Sequence, residues 1–271
     1  ILAVVSSKRP MDAPGPFKVN QLRSGDRYEL SSGHAYYCAP TGGDGARRTG
    51  AAFEVIDSDP LVEDAGIDPG FTPDDGTLRA PDVAVGVPDA PGWIKGTPPL
   101  AVEYAGRGQD EDELQLKIRD LLHAGTRWIW VVRLVGPRRV EVYEPHIPVT
   151  VKNIDEVLEA PGVLRNAVPV RALFDRDAAH EVTLRNLLQR RGFEDLDAVR
   201  VEGKAEGRAE GKAEGRAEGK AEALLAVLEA RGLTLDAAQV ERIRTCAESA
   251  TLDRWLRASV SVATAAELFA P

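Results

Sequence analysis

The sequence predicts an α/β fold, a mixed central sheet flanked by helices, with a C-terminal α-helical extension. Three observations predict it. Short apolar runs of strand length recur between residues 26 and 143, an amphipathic helical stretch sits among them, and helical patterns follow one another from residue 181 onward. On this reading residues 15–180 form one domain, 181–222 a helical linker built on a repeat, and 223–271 a small helical tail.

A chain of 271 residues, 43% of them apolar, is long enough to bury a core without disulfides or a structural metal. Cys38 and Cys246 lie far apart and outside any Cys-rich pattern, which excludes a disulfide scaffold and reads as two free thiols in a reducing compartment. The run Ile1–Val5, followed by Lys8 and Arg9, is too short and of the wrong polarity for a signal peptide. No stretch reaches the roughly 18 apolar residues of a membrane helix, so a cytoplasmic protein with no membrane partner is expected.

Asp and Glu total 43 against 34 Lys and Arg, a net charge of −9. Such a balance argues against DNA binding by surface charge alone, but not against an enzyme that brings carboxylates to a metal. Asp57, Asp59, Glu63, Asp64, Asp68, Asp74 and Asp75 crowd into residues 57–75 with no Lys or Arg and with several Pro and Gly. That stretch is expected to be a mobile, solvated loop. It lacks the spacing of a calcium loop.

Taken in order, Tyr28–Leu30 and Ala35–Cys38 flank a Ser31-Ser32-Gly33 turn and predict a hairpin. Pro40–Gly50 is expected to be a glycine-rich loop, and no Gly-Lys-Ser/Thr follows to make it a P-loop. Strands are predicted at Asp82–Val87, Leu100–Ala105, Trp128–Val132 and Val140–Tyr143, the last two joined around Gly136-Pro137. Between the second and third, Leu114, Ile118, Leu121 and Leu122 mark the buried stripe of a helix over Asp112–Ala124, with Gly125 as its C-terminal cap. Lys117 borders that stripe. Glu181–Gln189 is expected to be helical. The unit Glu-Gly-Lys/Arg-Ala then repeats over Glu202–Ala221, placing like charges four residues apart and a glycine in every unit, so an isolated helix is marginal there. Packing against a second copy would rescue it. The tail is expected to carry N-caps at Thr234, Thr251 and Thr264, with Leu225, Leu228, Ile243, Leu252, Trp255 and Leu268 as core.

Asp82 opens one strand, Glu103 lies inside the next, and Lys117 sits on the helix that follows. Two carboxylates and an ammonium converging on one point would suit Mg²⁺ or Mn²⁺ and metal-assisted hydrolysis of a phosphodiester. The plainer alternative makes Asp82 a strand-start residue, Glu103 an edge-strand residue and Lys117 a snorkelling surface group.

Pro81-Asp82-Val-Ala-Val, Pro99-Leu-Ala-Val-Glu103-Tyr, Glu113-Leu-Gln-Leu-Lys117, Ala124-Gly-Thr-Arg-Trp-Ile-Trp-Val-Val and Val140-Glu-Val-Tyr-Glu-Pro occur in that order. Together they resemble the motifs of a bacterial family of restriction-endonuclease-like proteins in the PD-(D/E)XK nuclease superfamily, over roughly Asp26–Phe174. The resemblance implies a restriction-endonuclease-like fold, cleavage of DNA, metal ligands at Asp82 and Glu103, and Lys117 as the catalytic lysine. Two departures stand out. Ala105 occupies the position two after the Glu where the superfamily places its Lys, and Leu121 stands where a Tyr is usual.

Glu29 is either a further acidic ligand or a satisfied strand residue, and Gln115 points away from Lys117. His34, His123, His146 and His180 show no metal-ligand spacing, Trp128 and Trp130 read as core, and Arg133, Arg138 and Arg139 either touch phosphate or form a solvated turn. The leading expectation is a Mg²⁺- or Mn²⁺-dependent endodeoxyribonuclease acting on DNA and self-associating through its C-terminal helices. The rivals are a weak or inactive nuclease fold kept for binding or assembly, and a different hydrolase using the same metal site.

Overall fold

The computed structural model describes residues 15–108 and 110–269. They fall into two compact units that meet in sequence between Asp195 and Leu196.

The first unit opens on a hairpin of β1 (Tyr28–Ser31) and β2 (His34–Tyr37). Ser32 and Gly33 both take positive φ, the turn geometry that matches strand twist. Helix α1 (Gly43–Asp57) follows, then β3 (Ala65–Ile67), β4 (Phe71–Asp74), β5 (Thr77–Arg79), β6 (Val83–Val85), β7 (Ile94–Lys95) and β8 (Leu100–Ala105). Helix α2 (Glu111–Ala124) leads to β9 (Trp128–Arg133), β10 (Arg139–Glu144), β11 (Ile147–Asn153), β12 (Val157–Leu158), β13 (Val168–Pro169) and α3 (Arg176–Arg190).

The central sheet has six strands in the order β11-β10-β9-β8-β6-β3, antiparallel except for the parallel pair β8 and β9, which α2 connects. A five-stranded sheet in the order β2-β1-β5-β4-β7 lies alongside α2. Side chains alternate along β8. Leu100, Val102 and Tyr104 join Ala52, Val55 and Ile56 of α1 and Val182 of α3 on one face. Ala101 and Ala105 face Leu114, Ile118 and Leu121 of α2 on the other. Burial of each large α2 side chain is worth about 1.5–3 kcal/mol, and the two alanines leave room for the helix to come close. Asp110 caps α2 by accepting from the N–H groups of Asp112 and Glu113, and Gly125 ends it in the left-handed conformation.

Three local expectations are corrected. The glycine-rich run does not stay a loop beyond Gly42, because it forms the first half of α1. Thr49, Ala52, Val55 and Ile56 are all buried, so tertiary packing outweighs the poor helix propensity of Gly43, Gly45 and Gly50. Residues 57–75 are not a free loop either. β3 pairs with β6, β4 pairs with β5 and β7, and the buried Asp59 carboxylate accepts from the N–H groups of Leu61, Arg165 and Asn166. Finally, β8 lies between β9 and β6, so Glu103 is not an edge-strand residue.

In the second unit, α4 (Leu196–Ala230) runs unbroken through the whole repeat, followed by α5 (Ala237–Arg244) and α6 (Ser249–Ala258). Ala217, Ala221, Leu224 and Leu228 form its buried stripe against Ile243, Leu252, Trp255 and Leu268. The caps differ from those expected. Asp236 with Gln239, and not Thr234, caps α5, while Glu248 precedes α6 and accepts from the Thr251 hydroxyl. Thr264 donates to Glu267, which also accepts from the N–H of Ala263.

Candidate active site

The antiparallel pairing of Val83 with Val102, extended by one residue, sets Asp82 directly beside Glu103 on the face that α2 covers. Asp82 Oδ2 accepts from the N–H of Tyr104 at 2.6 Å, which fixes the carboxylate against β8. Lys117, three residues after Leu114 on α2, reaches over the same face, its side chain only 13% exposed. Its Nζ lies 2.8 Å from Glu103 Oε1, 2.9 Å from Glu29 Oε1, and donates to the Ala80 carbonyl at 2.7 Å. The structure thus brings Asp82, Glu103 and Lys117 together. It also adds Glu29.

Glu29 is held from behind. In β1 and β5, Leu30 pairs with Leu78, so Glu29 and Arg79 are cross-strand neighbours, and Arg79 Nη1 donates to Glu29 Oε2 at 3.1 Å. Arg79 in turn makes two bonds to Asp120 Oδ2, of 2.5 and 2.9 Å. Arg79 and Asp120 are the site residues that the sequence reading missed. Asp120 lies three positions after Lys117, on the same helix edge, and Arg79 is the first cation after the acidic run. Those two signals were present.

Burial dominates the electrostatics. It pushes the Glu103 carboxyl up to about 8 against the pull of Lys117, and raises Asp82 as well. Burial works against the charge of Lys117, but Glu103, Glu29 and Asp82 outweigh it and hold the ammonium charged beyond its ordinary range. Asp68, in the acidic stretch, is raised by desolvation and then by Asp82, which places a further carboxylate near the site. The Cys38 thiol is pushed up to about 12, first by loss of water around it and then by the charge of Glu29.

The donor set fits a hard divalent cation. Glu103 Oε1 is buried and meets the Lys117 ammonium at 2.8 Å. Asp82 commits one oxygen to Tyr104. Among the described residues no three His, Cys, Asp or Glu side chains form a cage for a metal. Two carboxylates, with water and substrate phosphate completing the shell, are the usual manner of holding Mg²⁺.

Other candidates lie elsewhere. Gln115 donates to Glu111 and to the Tyr143 hydroxyl. Arg133 is taken up by Glu111 and Glu141, both at 2.7 Å, so it is no free phosphate contact. Arg138 stacks over the Phe174 ring. Trp130 is core.

The model of the Uma2 family, described as putative restriction endonuclease, matches residues 17–171. The chain belongs to the Uma2 family. That match contains every residue of the site. A crystal structure from Anabaena variabilis, described as a putative nuclease belonging to DUF820, aligns with a TM-score of 0.52 at 17% identity, over 58% of this chain and 95% of that one. At that identity the likeness establishes the shared fold. No curated protein matches the chain. The described part of this Uma2 protein contains no helix long and apolar enough to cross a membrane.

Proposed function

We propose that this Uma2 protein is a Mg²⁺- or Mn²⁺-dependent endonuclease that hydrolyses DNA phosphodiester bonds at Asp82, Glu103 and Lys117. The observation that carries the reading is the seating of Lys117 Nζ 2.8 Å from a buried Glu103 oxygen, with Asp82 alongside. Asp82 and Glu103 would hold the cation. When bound, the ion supplies Lewis-acid activation of water and neutralises phosphate charge.

The chain's own groups do the rest. Tyr104 N–H keeps Asp82 in one orientation. Lys117, its charge secured by the surrounding carboxylates, would offset negative charge that builds on the phosphate oxygens as the P–O bond breaks. Because the lysine arrives from α2, Ala105 can occupy the strand position two residues after Glu103 and instead pack beneath the helix.

The test is plasmid cleavage with Mg²⁺ or Mn²⁺, paired with calorimetric Mn²⁺ binding. Asp82→Ala and Glu103→Ala should lose metal binding and cleavage together. Lys117→Ala should keep or slightly gain metal affinity while the rate falls by about 10² to 10³. Cleavage that persists in Asp82→Ala would overturn the assignment. A wild-type protein that binds Mn²⁺ and DNA but leaves the plasmid intact would establish the binding-module reading instead.

A further inference from the structure

Lys117 does not simply pair with Glu103, because its ammonium stands between two carboxylates at nearly equal distance, 2.8 Å from Glu103 Oε1 and 2.9 Å from Glu29 Oε1. A divalent cation taking Glu103 would compete with the ammonium for the same oxygen and repel it at short range. The lysine then needs another anion if it is to stay in the site. Glu29 is such an anion, and it is poorly free to follow the metal itself. Its second oxygen is bonded to Arg79, and Arg79 is fixed twice to Asp120.

We infer that Glu29 is a positioning residue, the alternative anchor onto which Lys117 shifts when a divalent cation occupies Glu103, and not a metal ligand. The inference rests on the metal-dependent reading above. Without Glu29, the ammonium leans mainly on Glu103, so metal and lysine become stronger rivals; with it, both are held at once. The Ala80 carbonyl steadies the ammonium but carries no charge to offset it.

The experiment is a double-mutant cycle on the full chain with Glu29→Gln, Lys117→Ala and the double variant, read by Mn²⁺ calorimetry and by single-turnover plasmid cleavage at saturating Mn²⁺. Coupling between contacting charges predicts that Glu29→Gln weakens Mn²⁺ binding on the order of ten-fold when Lys117 is present and several-fold less when it is absent. In cleavage, Glu29→Gln should slow the wild type and add nothing to Lys117→Ala, as groups that act as one unit do. Glu29→Asp keeps the negative charge, so it should fold and retain most of both properties, which covers the case in which Glu29→Gln does not fold. Equal losses in both backgrounds would make Glu29 a direct ligand and overturn the inference, as would no loss in either. Wild-type protein that takes up no Mn²⁺ removes the metal reading itself and this inference with it, a result distinct from an additive cycle.

Discussion

Helices α2 and α4 both carry acidic and basic side chains, yet charge does different work in each. In α2, Lys117 and Asp120 lie on an edge closed over by β1, β5 and β8, and every charged atom named there has a partner within 3.1 Å. In α4, residues 200–216 are exposed all round, and the repeat sets Glu above Glu and Lys or Arg above Arg or Lys. Among the described residues, a repeat lysine finds a fixed partner where Ala217 and Ala221 meet the rest of the second unit, Lys220 bonding Asp253 at 2.6 Å. The same residue types are therefore determinants of geometry when desolvated and close to interchangeable when wet.

The largest expected effect follows directly. Arg79→Ala leaves Asp120 without its cation and Glu29 with Lys117 alone, and should destabilise the first unit by about 3–5 kcal/mol in urea denaturation. Arg208→Ala in the repeat should stay within about 0.5 kcal/mol. Similar values for the two would break the contrast.

Next comes the pH dependence of Glu103. With its folded pKa raised to about 8 from 4.5, the folded state keeps a proton that the unfolded state has lost between those values, so stability falls as pH rises through that window. Glu103→Gln removes that titration and should flatten the fall between pH 4 and 8, while leaving Lys117 with one carboxylate fewer. Identical melting profiles from pH 4 to 8 would show that burial does not penalise this carboxylate.

A smaller gain is expected in α4. A Cβ added at Gly207 or Gly211 meets nothing within 4 Å, so alanine at each should strengthen the helix by about 1 kcal/mol and slow amide exchange across the exposed stretch. The expectation of self-association through the C-terminal helices is checked by sedimentation, comparing the full chain with one ending at Arg200. If two helices approach over their glycines, the same alanines should weaken the oligomer while strengthening the helix.

The smallest effect concerns Cys38. Cys38 is exposed, and its raised pKa lowers the thiolate fraction, so iodoacetamide should modify it more slowly than an unperturbed exposed cysteine. Glu29→Gln should speed the reaction.

What was legible in the sequence follows the same division. β8 and α2 were readable almost to the residue, because alternation in one and a 3.6-residue stripe in the other record contact with a core. The same pattern in Thr49, Ala52, Val55 and Ile56 recorded α1, but four glycines between Gly42 and Gly50 obscured it. Residues 57–75 were misread because charge was counted without asking which acid was buried; Asp59 bonds three backbone N–H groups. Asp82, Glu103 and Lys117 could be placed together because each lies on or beside a strand or helix that its own pattern marks. Glu29 reaches them from a different sheet, through strand pairings that no local pattern records.

The exposed part of α4 has a last consequence. Each four-residue unit adds about 6 Å of helix, and no described side chain of the first units is part of the buried stripe that begins at Ala217. A unit inserted or deleted there changes the helix by a fixed increment and leaves that core's own sequence intact. Copy number thus sets the length of α4 in steps, one unit at a time.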